Sequence, residues 1–129
     1  MSDRKPRILV VDDDSALQQL MRTLLERADM EPIQAMNAYE ANEILSEGDL
    51  PDLVVLDLML PDVSGMEYLQ ELRATEGYEH LPVIILSALA DPDVISEGYD
   101  TGADRYLTKP YIAQNLIKTI HEMIGPDDA

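Results

Sequence analysis

The stretch Leu53-Val-Val-Leu-Asp57-Leu-Met-Leu-Pro61-Asp-Val-Ser-Gly65 decides the fold. Four apolar residues in a row end in a carboxylate, and a loop with a proline and a glycine follows. A short, continuous Val/Leu run between turn signals reads as a strand buried on both faces. Asp57 then stands where that strand leaves its sheet. The rest of the chain can be read as a site built around this position.

Working outward, two more apolar runs have the same form. Arg7-Ile-Leu-Val-Val11 ends in Asp12-Asp13-Asp14, and Leu81-Pro-Val-Ile-Ile-Leu86 ends in Ser87. Two weaker strands are expected at Glu31–Met36 and Arg105–Thr108, the second ending in Lys109-Pro110. Helical spacing predicts helices between them. Leu17, Leu20, Met21, Leu24, Leu25 and Ala28 stripe the first, with Ser15 and Gln18 as a capping box at its start. Asn37 and Glu40 open the second, which carries Ala41, Ile44 and Leu45 and stops at Gly48. Ser64 and Glu67 form another box before Met66, Leu69 and Leu72. Asp91 to Thr101 is a weaker helix containing Gly98 and stopped by Gly102. Ile112, Leu116, Ile120, Met123 and Ile124 stripe the last, ended by Gly125-Pro126 with a frayed tail.

Strands alternating with helices imply an α/β fold: a doubly wound, mostly parallel five-stranded sheet, covered by helices on both faces and joined by right-handed crossovers. The 129 residues fit a single domain, 1–129, with a core over about residues 7–124. Six Tyr are the only aromatic residues, so the core must be largely aliphatic. There is no Cys, which removes disulfides, thiolate metal sites and a thiol nucleophile. The polar start and the lack of a long apolar run make a cytoplasmic protein the expectation. A formal charge of −17 opposes direct binding to nucleic acid or an anionic membrane.

In an open parallel sheet, ligands bind beyond the carboxyl ends of the strands. Asp12, Asp13, Asp57, Ser87 and Lys109 all fall at that edge. Close carboxylates repel one another unless a cation relieves them, and a hard divalent ion such as Mg²⁺ suits oxygen ligands. Asp57 can act as a nucleophile toward phosphorus, with Lys109 and the metal neutralising the transferring phosphoryl group and the Ser87 hydroxyl donating to it. Each residue also has a plainer reading. Asp13 or Asp14 can cap a helix, Asp57 can be a turn residue, Ser87 can satisfy loop backbone, and Lys109 can balance surface acids. For all of these to hold, every polar group must reach one sheet edge by chance.

Val11-Asp12-Asp13-Asp14, Leu56-Asp57-Leu-Met-Leu-Pro61 with Gly65, Leu86-Ser87-Ala88, and Gly102-Ala-Asp-Arg-Tyr-Leu-Thr-Lys109-Pro110 together resemble the CheY-like receiver domains of two-component response regulators. The resemblance implies a flavodoxin-like sheet of order 2-1-3-4-5. It implies that Asp57 is the phosphoacceptor, loaded by a histidine kinase or a phosphotransfer protein. Asp12, Asp13, Asp57 and the Met59 backbone carbonyl would hold Mg²⁺, which Mn²⁺ can replace. Lys109 would bind the phosphoryl group before a cis bond to Pro110, and Ser87 and Tyr106 would form the switch pair. Such a domain catalyses its own phosphoryl transfer and autodephosphorylation, yet acts as a signalling protein.

The same resemblance places a downstream protein target on the face of the fourth helix, fifth strand and fifth helix, with Ile95, Tyr99 and Lys118 beside Tyr106. It allows a monomer or a phosphorylation-induced dimer. Met59 offers a hydrolytic water no side-chain hydrogen bond, and Tyr111 stands where the family usually has Phe. A purely structural acidic protein without specific Mg²⁺ dependence is one rival, and two more specific rivals remain at this point. One is a pseudo-receiver that binds a partner without phosphorylation. The other is an aspartate-nucleophile phosphatase of the haloacid-dehalogenase type, reading Asp12 and Asp14 as its Asp-x-Asp pair.

Overall fold

The computed structural model describes residues 4–110 and 113–125. Five strands alternate with five helices: β1 (Arg7–Val11), α1 (Ser15–Arg27), β2 (Glu31–Ala35), α2 (Ala38–Ser46), β3 (Leu53–Leu56), α3 (Gly65–Ala74), β4 (Val83–Ser87), α4 (Pro92–Thr101), β5 (Arg105–Thr108) and α5 (Ala113–Ile124). The strands form one parallel sheet in the order β2-β1-β3-β4-β5. The expected order and the expected alternation are both present. The expectations at Tyr111 and Ile112 and in the tail from Pro126 lie outside the described residues.

The three central strands explain why those runs are apolar throughout. Every residue of β3 and β4 is buried, and so is every residue of β1 after Arg7. Successive side chains point to opposite faces of a sheet, so each run feeds two cores. Leu9, Val11, Val54, Leu56, Val83 and Ile85 pack with α2 and α3 residues such as Ala41, Leu45, Leu69 and Leu72. Ile8, Val10, Leu53, Val55, Ile84 and Leu86 pack with Met21 and Leu25 of α1 and Leu116 and Ile120 of α5. The edge strands β2 and β5 are only partly buried, which is why their sequences are less apolar.

Three details of the helix reading change. The N-cap of α1 is Asp14, one residue before Ser15; its Oδ1 accepts from the Ala16 and Leu17 amides. Gln18 is therefore not a capping partner, and its side chain is buried under the sheet edge. Leu20 is 49 % exposed and stands outside the core stripe. The Ser64–Glu67 box is present at the start of α3, and Asn37 caps α2 as expected. Gly102, at φ 127°, ends α4 in a conformation that L side chains rarely adopt. No helix among the described residues is long and apolar enough to cross a membrane.

Candidate functional site

The carboxyl edge of the sheet brings the sequence-predicted residues together. Register aligns Val11 with Leu56, so Asp12 and Asp57 leave adjacent strands side by side. The Asp57 amide donates to the Val11 carbonyl at 3.0 Å, and the Asp12 amide donates to Ala35 at 3.0 Å. On the other side, Ser87 pairs with Thr108, and the Lys109 amide donates to the Ser87 carbonyl at 2.8 Å. The Lys109–Pro110 bond is cis, as the resemblance implied.

Asp12 and Asp57 are held in the same way. Each uses one oxygen on the backbone two residues later: Asp12 Oδ1 accepts from the Asp14 amide at 2.9 Å, and Asp57 Oδ1 from the Met59 amide at 3.2 Å. Each turns its other oxygen to Lys109, whose Nζ lies 2.9 Å from Asp12 Oδ2 and 3.4 Å from Asp57 Oδ2. Both carboxylates are buried, whereas Asp13 is exposed. Burial pushes the Asp12 carboxyl up, against the lowering effect of the Asp14 amide and the Lys109 ammonium. Burial acts to lower the Lys109 ammonium, but the hydrogen bond to Asp12 and the charges of Asp12 and Asp57 outweigh it, so its net direction is up.

One carboxylate oxygen each from Asp12, Asp13 and Asp57 falls within a group spanning no more than 4.8 Å. Three hard anionic oxygens at that spacing fit a small divalent cation. Met59 lies in the loop beyond Asp57; its backbone bridges to Ser64, and its side chain is 59 % exposed.

Ser87 is fully buried at the end of β4, with its Oγ accepting from the Leu89 amide at 3.2 Å. The Tyr106 hydroxyl reaches the same turn. It donates to the Leu89 carbonyl at 2.5 Å and shares a hydrogen bond with Ser87. Burial pushes this phenol up. Its ring is turned inward onto α4, in space that exists because residue 98 is glycine. A Cβ at Gly98 would lie 2.9 Å from Ile85 Cδ1 and 3.2 Å from the Tyr106 ring. Gly98 is thus a packing device in addition to the weak helix former read from the sequence. Tyr99, half exposed, accepts the Tyr106 amide on its hydroxyl at 3.1 Å, and Lys118 is exposed on α5.

Residues to which the sequence reading gave no part in the site support this edge. The Gln18 side-chain amide reaches the Val10, Asp12 and Ala35 carbonyls at 3.0–3.1 Å, tying α1 to the ends of β1 and β2. Asp62, in the loop after β3, accepts from the Ala38 and Tyr39 amides at the start of α2, 3.1 and 3.0 Å away. A larger apolar cleft of about 710 Å³, lined by Leu24, Ala28 and Ile117, separates α1 from α5 and includes none of these carboxylates.

A parallel 2-1-3-4-5 sheet with paired acids, a third acid and a lysine at its carboxyl edge defines a doubly wound α/β domain whose polar groups gather where such folds bind ligands. The sequence matches the response regulator receiver domain over residues 8–121, and the chain belongs to that family of two-component signalling proteins. It is 37 % identical over 123 residues to the DNA-binding dual master transcriptional regulator RpaA of Synechocystis, covering 95 % of this chain and 51 % of that protein. It is 40 % identical over 119 residues to the phosphate regulon transcriptional regulatory protein PhoB of Rhizobium meliloti, covering 92 % and 52 %. The chain therefore spans about half the length of the curated relatives it matches. Among solved structures, a response regulator receiver domain protein from Clostridium thermocellum superposes with a TM-score of 0.84 at 35 % identity, over 92 % of this chain and 94 % of that one. The phosphorylated cyanobacterial phytochrome response regulator RcpA superposes at 0.83 and 26 % identity, over 97 % of each chain.

Proposed function

We propose that this receiver domain is a phosphorylation-dependent switch in which Asp57 accepts a phosphoryl group from the phosphohistidine of a histidine kinase or phosphotransfer protein. An Asp57 carboxylate oxygen attacks phosphorus, the P–N bond to the donor imidazole breaks, and an acyl phosphate forms. The observation that carries this reading is the shared grip of Lys109 on Asp12 and Asp57. It keeps a buried carboxylate facing a cation that a phosphoryl oxygen can take over.

Asp12, Asp13 and Asp57, with the Met59 carbonyl, would hold Mg²⁺, or Mn²⁺ in its place. Bound there, the metal supplies positive charge to the phosphoryl oxygens. Asp12 anchors Lys109 and so limits where its ammonium can move. Ser87 offers its hydroxyl to a phosphoryl oxygen, which removes it from the Leu89 amide and from Tyr106. The Leu89 turn and the Tyr106 ring then carry the change to the face of α4, β5 and α5, where a downstream protein target would bind near Ile95, Tyr99 and Lys118.

Asp14 does not favour the phosphatase rival, because its carboxylate caps α1. Direct DNA contact by this segment is opposed by its charge of −17. The test is intact mass after incubation with a small phosphodonor and Mg²⁺. One added phosphoryl group, absent in Asp57→Asn and absent after chelation, is the expected result. No addition to folded wild-type protein in the presence of the metal would favour a phosphorylation-independent pseudo-receiver.

A further inference from the structure

The helices α2 and α3 leave a cleft of about 440 Å³ between them. Its walls are two matching helical stripes. Tyr39, Asn42 and Glu43 come from α2 at spacings of three and four, and Tyr68 and Glu71 come from α3 three apart. Tyr78 closes one end. Half of the six tyrosines in the chain meet here, together with two glutamates, and among the described residues no Lys, Arg or His lines the cleft.

The tyrosines are held differently, and two are fixed. The Tyr68 ring is buried, with its hydroxyl donating to Asn42 Oδ1 at 3.0 Å, and the Tyr78 hydroxyl donates to the Leu45 carbonyl at 3.3 Å. Tyr39, at the mouth, is 68 % exposed, a large aromatic surface left in water. The Glu43 and Glu71 carboxylates are exposed and make no ion pair among the described residues. Negative ring faces beside unpaired carboxylates attract a cation that is also flat or apolar. The surrounding charge of −17 raises the local concentration of such a group.

We infer that the α2–α3 cleft is a docking site for an arginine side chain of a basic protein segment, held between Tyr39 and the Glu43 and Glu71 carboxylates. This inference is independent of the phosphorylation reading and uses none of the residues at the Asp57 edge. It gives the domain a second binding face, built from other helices than the α4–β5–α5 face. Arginine is favoured over lysine because its planar guanidinium stacks on a ring while donating to a carboxylate on each side.

The experiment is an ¹⁵N-HSQC titration of the whole chain with a short Gly/Arg peptide carrying two arginines. The matched lysine and citrulline peptides and tetramethylammonium serve as controls. The expected result is shifts confined to α2, α3 and the Tyr78 turn, strongest for arginine and absent for citrulline. Tyr39→Ala and the double variant Glu43→Gln/Glu71→Gln should each weaken binding about fivefold or more. All three positions are solvent-exposed, so the spectrum of each free variant checks that the fold is kept. Shifts spread over the acidic surface, or binding indifferent to these variants, would overturn the inference in favour of general charge attraction. Binding of tetramethylammonium but not of the peptide would overturn it in favour of a small organic cation. No binding at millimolar peptide would overturn it outright.

Discussion

A Cβ built on Gly65 would collide with the Asp57 carbonyl oxygen and lie 2.6 Å from the Leu58 Cα. Both obstacles are backbone, so no rotamer change can relieve them, and the start of α3 must move. Because the Gly65 amide also donates to the Leu58 carbonyl at 2.8 Å, the strain falls on the loop that orients Asp57. Gly65→Ala is therefore expected to cost on the order of 1–3 kcal/mol, read from the urea midpoint. It should also slow phosphoryl loading in the intact-mass assay. An unchanged midpoint would mean that the loop absorbs the methyl group. The sequence marked Gly65 only as part of a loop and a family motif; the close approach that demands glycine is visible only in three dimensions. Asp12, Asp57, Ser87 and Lys109 were legible for a simpler reason. Each interrupts or follows an apolar strand, and a parallel sheet gathers such ends at one edge. The roles of Gln18, read instead as half of a capping box, and of Arg73 were not legible, since their main partners are backbone carbonyls up to 29 residues away.

Among the elements, α2 is joined to the Asp57 loop through Asp62. Its carboxylate accepts from the Ala38, Tyr39 and Val63 amides, supplying a helix cap from a distant loop. Although partial desolvation acts to raise this carboxyl, the backbone hydrogen bonds outweigh it and hold it below the usual value. A carboxyl lowered in the folded state stabilises the fold above its unfolded value. That contribution is lost as pH falls through the folded value. Wild type should therefore gain stability more steeply than Asp62→Asn as pH rises from about 2 to 5. Parallel curves from urea titrations across that range would show that the cap is not formed in solution. The same helix had been read with its own cap, Asn37, which is present; the second cap from Asp62 could not be read because nothing local links positions 62 and 38. In α4, Gly98 looked like a defect in the helix pattern. It is the position where the helix must pass close to Tyr106.

For the whole molecule, the balance of 26 acids against 9 bases sets the response to salt. The folded state concentrates this charge more than the extended chain does, so self-repulsion disfavours compactness. Raising NaCl from about 0.02 to 0.5 M shortens the screening length from roughly 20 Å to a few Å. Tm should rise over that range. The paired Lys109 site is largely shielded from solvent and contributes little to the effect. A falling Tm would mean that surface ion pairs such as Arg22–Glu26 contribute more than the net repulsion. The fold class followed from strand and helix periodicity, and the strand order followed from the family resemblance, because periodicity does not encode which strands are neighbours.

Arg73 gives this architecture a mechanical asymmetry. From α3, its guanidinium donates to the Gly102, Tyr78 and Leu81 carbonyls and pairs with Asp104 at 3.3 Å. The far end of α4 and the turn that leads into β5 are thereby riveted to the neighbouring helix α3. Ser87, Leu89 and the Tyr106 hydroxyl lie at the opposite end, where the contacts are hydroxyls that can exchange partners. A helix pinned at one end and loosely held at the other can swing about the pin, but it cannot slide. Under the proposed switch, signalling through this face would be a lever stroke, small at Gly102 and largest at the residues that begin α4.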